Sequence, residues 1–249
     1  MAKNKEDEMS LFGHLDELRK RFIIIAAVIL VGAIVSFTFI DTVLDILTAP
    51  AGKMDLIYTT PAEAFMAQIR LAFTTGAVMT LPITFYQILA FIIPALRRVE
   101  RRTVVPLIIF MNLLFFLGMA FSYYIVFPFA LRFFMGFETE TLQPLFTISR
   151  YISFVVTFLI SFGAVFQIPV IFWFLGRIGL VSSQFLKKKR KFAVLIMAVL
   201  SAVITPPDIF SQLLMVAPLL VLYEIGIFLV RLTERQRRRK EEREAREQS

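Results

Sequence analysis

The sequence predicts an all-α integral membrane protein with six transmembrane helices, and three observations carry that reading. Of the 249 residues, 58% are hydrophobic and only 18% charged, with a mean hydropathy of +0.75. A soluble domain runs nearer about 45–50% apolar and about 25% charged, so this chain has too little polar surface for water. Six apolar runs, Phe22–Ile40, Leu71–Ile93, Val104–Phe127, Ile152–Leu175, Phe192–Ile204 and Ile209–Val230, take up about half of the chain. Four or five of them reach the roughly 20 residues that a helix needs to span hydrocarbon. Charge supplies the third observation. Of the 27 Lys and Arg, 23 lie in the N-terminal arm, the loops 94–103 and 176–191, and the tail from Arg231; Lys53, Arg70, Arg132 and Arg150 are the other four. That asymmetry orients both termini and the basic loops to the cytoplasm. Topogenic charge and contact with anionic lipid account for the net +8, and no nucleic-acid partner is expected. Alternating ten-residue strands of a membrane barrel are absent.

The arm Ser10–Arg21 places Leu11, Leu15, Leu18 and Phe22 at helical spacing, with His14, Glu17 and Arg21 on the opposite side. A short amphipathic helix over 10–21, lying on the cytoplasmic face, is expected to lead into span one. The first apolar run is longer than a signal-peptide core and no cleavage site follows it, so no cleavable signal is expected. An outer loop, Asp41–Thr60, ends in TPAE: Thr60 can cap, Pro61 suits the first helical position and Glu63 completes a capping box. A helix from Pro61 to Ile93 would be about 50 Å long and must tilt or project from the outer surface, with Arg70 snorkelling near its outer end. Pro94 and Pro106 bracket the first cytoplasmic connection. The second outer loop, Pro128–Arg150, is long enough to cap the bundle. Tyr123, Tyr124 and Tyr151 are expected to mark the outer interface and Trp173 the inner one.

The fifth run is short. Its 13 residues reach about 20 Å as helix. The TPPD turn follows, with Asp208 placed to cap helix six. The tail carries mixed charge and should prolong the last helix as a solvated helix. The predicted organisation is one six-helix domain over 1–231 and a charged cytoplasmic tail over 232–249.

The chemistry is sparse. With no Cys and one His, His14, disulfides, thiolate catalysis and Cys or His metal sites are excluded. No metalloprotease, nucleophile-elbow or phosphate-loop motif occurs, so neither an enzyme nor a cofactor is expected. Glu224 is the one carboxylate inside a run, about 10 Å within the cytoplasmic end of helix six. At that depth it must be paired, neutral or wet: a proton or polar-contact site, or an acid hydrogen-bonded to a neighbouring helix. Gln167 lies near mid-membrane ahead of Pro169, which frees a carbonyl; it either holds helices together or lines a polar cavity. Gln212 lies about 120° around helix six from Glu224, so the two serve different neighbours. A small polytopic secondary transporter is the competing function, but the halves show no repeat and the polar residues do not converge on the midplane.

HLDELRKR before span one, PALRRVERRTVVP after span two, FQIPV in span four and TPPDIFSQLLMVAPLLVLYEIG through span six together resemble TatC, the multispan receptor subunit of the twin-arginine protein translocase. The resemblance covers about Leu11 to Arg231. It implies six helices in a cupped shape with short helices five and six, in a plasma (inner) membrane. The implied function is to bind twin-arginine signal peptides of folded precursors and to nucleate a transport complex driven by the protonmotive force. Implied partners are single-span TatA/TatB-type subunits and other TatC copies. Glu17 and Glu100 fall at the signal-binding carboxylates, Thr205 and Gln212 at the contact for a partner's helix, and Gln167 where relatives often carry Glu.

Overall fold

The computed structural model describes residues 11–52, 56–92, 104–136, 146–204 and 209–247. Helices α1 (Leu11–Phe37), α2 (Ile40–Thr48), α3 (Pro61–Met79), α4 (Leu81–Ile92), α5 (Val104–Phe121), α6 (Phe127–Met135), α7 (Ile148–Val165), α8 (Ile168–Ile178), α9 (Ser183–Lys188), α10 (Arg190–Ile204) and α11 (Ile209–Glu247) make up nearly all of them. Four helical stretches, Leu15–Phe37, Val104–Met135, Ile148–Ile178 and Ile209–Arg239, are long and apolar enough to cross a membrane; the bent pair α3–α4 makes a fifth if counted as one span. The fifth predicted span corresponds to α10, whose 15 residues measure about 22 Å. Two compact units are present, Met1–Leu44 with Gln68–Asn112, and Asp45–Ala67 with Leu113–Ser249.

In the first unit α1 is one unbroken helix of 27 residues. The amphipathic segment expected over 10–21 is continuous with span one, because nothing between Leu11 and Phe37 removes a backbone donor. Its apolar stripe is exposed, with Leu15, Leu18 and Phe22 among the outward side chains. Higher up, α1 and α3 meet backbone to backbone. A Cβ on Gly76 would lie 2.3 Å from the Ala33 nitrogen, so only glycine fits, as in other close crossings of membrane helices. Ser36 Oγ donates to Ala72 O across the same crossing at 2.7 Å.

The single 33-residue helix expected from Pro61 to Ile93 is instead two helices bent by 59° at Thr80. Pro82 is the cause: it offers no N–H to the Val78 carbonyl and its ring crowds it. Thr80 sits at the corner and donates its hydroxyl to the Gly76 and Ala77 carbonyls at 2.9 and 3.1 Å. The start follows the capping reading, since Thr60 Oγ1 accepts from Glu63 N. The Glu63 carboxylate, however, takes Thr59 N and Thr59 Oγ1 rather than Thr60 N.

In the second unit the loops expected outside are largely structured. Residues 41–48, assigned to loop, join Ile40 from the end of the first run to form α2, with Asp41 and Asp45 outward and Ile40 and Leu47 buried. Tyr123 and Tyr151 donate to Ile46 O at 2.6 Å and Leu47 O at 2.9 Å. These are among the last carbonyls of α2, which lack partners within the helix. Tyr124 is 75% exposed, with its ring edge-on to that of Tyr123 at 4.9 Å. The second outer loop begins later than expected, because a π-helical turn at Ser122–Val126 carries the third span into α6. Strands β1 (Leu56–Ile57) and β2 (Phe146–Thr147) then pair in parallel, tying the two outer connections together.

The fourth span breaks at Phe166–Gln167, where α7 ends and α8 begins. Pro169 accounts for this as it does at Pro82. The core lies between these helices and α11, with Phe158, Phe162, Met215, Leu219, Tyr223, Ile227 and Val230 at its centre. α11 runs for 39 residues, about 58 Å, so the tail does prolong the last helix as its sequence suggested.

Candidate functional site

Glu17 and Arg21 are four residues apart on α1 and therefore share a face. Arg21 Nε and Nη2 both donate to Glu17 Oε1, the former at 3.1 Å. Its third group, Nη1, crosses to α4 and donates to Gln87 Oε1 at 3.0 Å. The Glu17 and Arg21 side chains are 23% and 21% exposed. Asp16, one residue earlier, pairs with Lys20 on an open face. The turn of about 100° per residue therefore sets the two acids in different surroundings. An exposed helical pair such as Asp16–Lys20 contributes about 0.3–0.5 kcal/mol, whereas the Glu17–Arg21–Gln87 chain locks three side chains and two helices. Glu100 lies outside the described residues, as does Thr205.

At α10 the structure supplies the partner of Glu224. Arg190 Nη2 donates to Glu224 Oε2 at 2.6 Å, with both side chains about half exposed. Of the states its depth allows, the geometry is that of a carboxylate paired with the first residue of the neighbouring helix α10. Tyr223 beside it faces inward and donates to Leu186 O of α9 at 2.8 Å. Nearly three turns further on, Glu234 accepts from Ser183 N at 2.9 Å and from Ser183 Oγ at 2.6 Å. The start of the tail is thus engaged with the first turn of α9, where donors lack helical partners, and not merely solvated.

Gln212 Nε2 donates to Ala198 O of α10 at 3.0 Å. It ties α11 to the short helix before it, and the expectation that Gln212 and Glu224 serve different neighbours is corrected: both reach α10, Glu224 at its first residue and Gln212 eight residues further along. Gln167 is 7% exposed; its Nε2 lies 3.5 Å from Gly163 O of its own helix span, a distance too long for a full hydrogen bond. Trp173 carries the Arg177 guanidinium over its ring at 5.6 Å, a cation–π arrangement fitting an interface.

The structure therefore brings Glu17 together with Arg21 and Gln87, Glu224 with Arg190, and Gln212 with Ala198. Sequence reasoning missed Gln87, Arg190 and Glu234. An amide in the otherwise apolar LPITFYQILAFI was a visible signal for Gln87. Arg190 is hidden in a run of five basic residues, and only the tertiary fold separates it from the others.

Known proteins of similar sequence and structure carry one description. The family model for TatC, the Sec-independent protein translocase protein, matches residues 13–218. A Sec-independent protein translocase protein TatC from Carboxydothermus hydrogenoformans is 40% identical over 230 residues, 91% of this chain and 95% of the relative. Its namesake from Escherichia coli strain K12 is 38% identical over 244 residues, 95% of this chain and 94% of the relative. A solved structure, the crystal structure of the twin-arginine translocase receptor TatC, superposes with a TM-score of 0.81 at 37% identity, covering 89% of this chain and 99% of that one.

Proposed function

Because this chain belongs to the TatC family of Sec-independent protein translocase proteins, it is a multi-pass membrane protein of a protein translocase, and we propose that it binds the twin-arginine signal peptides of folded precursors. The supporting observation is the Glu17 carboxylate. Both Arg21 contacts end on Oε1, and the side chain is three-quarters covered. A partly desolvated carboxylate with one oxygen engaged among the described residues can receive a second guanidinium on the other, and a planar guanidinium meets it better than an ammonium. Adjacent arginines of an extended peptide point to opposite sides, so a second acid is needed. In this reading it is Glu100.

The reading extends to the assembly. The chain nucleates a complex with single-span TatA/TatB-type subunits and other copies of itself, driven by the protonmotive force. It sits in a plasma (inner) membrane among anionic lipids, with six spans in a cupped domain over 1–231, both termini and the 232–249 tail cytoplasmic. Thr205 and Gln212 serve as the contact for a partner's helix; Gln212 would then exchange or share its bond to Ala198. No catalytic step is assigned. The secondary transporter, a competing reading of the sequence, is set aside by family membership.

Crosslinking of a twin-arginine signal peptide tests recognition. Glu100→Lys should abolish it and Glu17→Lys weaken it in a protein that still inserts, while Asp16→Lys should do much less. Normal crosslinking by Glu100→Lys sinks the two-carboxylate clamp. Topology has its own test in this cysteine-free chain. Single cysteines at Lys53 or Thr141 should react with an impermeant thiol reagent from outside; outside reaction at Val99 overturns the orientation.

A further inference from the structure

We propose that Gln87 is a positioning residue for signal recognition, acting through Arg21 to keep one Glu17 oxygen available. The inference rests on Glu17 being the recognition carboxylate. Its basis is the unequal use of the two ends of the Arg21 fork. Nε and Nη2 would ordinarily meet the two oxygens of a carboxylate in parallel, yet both end on Glu17 Oε1. The remaining group, Nη1, is held by Gln87 Oε1 from α4 at 3.0 Å. The guanidinium is thus pulled toward α4 and pivots about one oxygen. Gln87 is neutral, so it orients Arg21 without competing for its charge. Remove it, and Arg21 is free to swing into the parallel two-oxygen pair with Glu17, which would close the carboxylate to an incoming arginine.

The experiment uses the full chain in lipid nanodiscs and a labelled signal peptide with two adjacent arginines, its twin-lysine counterpart serving as control. Gln87→Leu should weaken binding by about tenfold, the scale of one hydrogen bond to a charged group. Gln87→Glu should bind at least as well as the parent, because a carboxylate draws Arg21 more strongly toward α4 and adds negative charge beside the peptide. In an Arg21→Gln background, Gln87→Leu should change affinity less than about twofold, since no guanidinium is left to hold. A purely structural amide would not give opposite results for Leu and Glu. Binding by Gln87→Leu within twofold of the parent overturns the proposal. So does a Gln87→Glu variant as weak as Gln87→Leu, or a full loss that persists without Arg21. If Glu17→Lys itself binds normally, recognition by Glu17 is wrong; if Glu17→Lys loses binding while Gln87→Leu keeps it, only the positioning role falls.

Discussion

The Arg190–Glu224 pair can be tested as an ion pair rather than as a neutral acid. Hydrogen bonds to charged groups contribute about 1.5–3 kcal/mol, but here both side chains are half exposed, and screening halves that figure to about 1 kcal/mol. A second effect adds to it. Arg190 is the first residue of α10, and a cation at a helix N-terminus opposes the dipole by about 0.3–1 kcal/mol. Glu224 offsets that charge, so Glu224→Gln should lose about 1.5 kcal/mol in all. For a chain of this size that lowers Tm by roughly 3–6 °C, readable as loss of the monodisperse gel-filtration peak after heating in detergent. Arg190→Leu should cost a similar amount, because it leaves the carboxylate unpaired inside the helix-six run. The exchange Arg190→Glu with Glu224→Arg should recover the parent Tm, since it restores the pair and puts an acid at the N-terminus of α10. If Glu224→Gln is as stable as the parent and the exchange no better than either single change, Glu224 acts as an uncharged acid and the argument fails.

Removing the Tyr151 hydroxyl in Tyr151→Phe leaves the Leu47 carbonyl of α2 without its donor; a loss of about 1–2 kcal/mol is expected in thermal unfolding, and an unchanged Tm would show that water replaces the clamp. Gly76→Val should abolish stable accumulation, or lower Tm by 10 °C or more, because its Cβ would lie 2.3 Å from the Ala33 nitrogen; parental stability would mean that α1 and α3 separate without penalty. Gln167→Glu should transport near neutral pH, because a desolvated acid stays largely protonated, while Gln167→Leu should impair transport more. Full activity in Gln167→Leu would reduce the amide to packing.

Much of the architecture was legible because hydrocarbon imposes strong rules on composition. Apolar runs located the spans, and the thirteen-residue fifth run anticipated the short α10. Thr60 and Pro61 marked where α3 begins, and Pro169 marked a freed carbonyl in the fourth span though not the break itself, since a missing backbone donor acts locally whatever surrounds it. Pro82 carried the same signal, yet the apolar run around it read as one helix. The loops were the least legible. Residues 41–48 look polar enough for loop, but belong to a helix whose last carbonyls Tyr123 and Tyr151 satisfy, and both tyrosines come from about 80 to 100 residues further on.

The same division holds at the candidate site. Sequence by itself determined which residues carry charge or a hydrogen-bonding group within the spans: Gln167, Gln212 and Glu224 follow from the chain alone, because a polar group in an apolar run is conspicuous, whereas Glu17 stands in the arm before the first run and was singled out by the family resemblance. It also separated Glu17 from Asp16, since helical rotation is fixed by local geometry. Only the tertiary structure decided their partners. Arg21 reaches Gln87 across 66 positions, Arg190 meets Glu224 across 34, and Glu234 meets Ser183 across 51. Hydrogen bonds and ion pairs act over about 3 Å, and no periodicity along one helix specifies which residue of another comes that close.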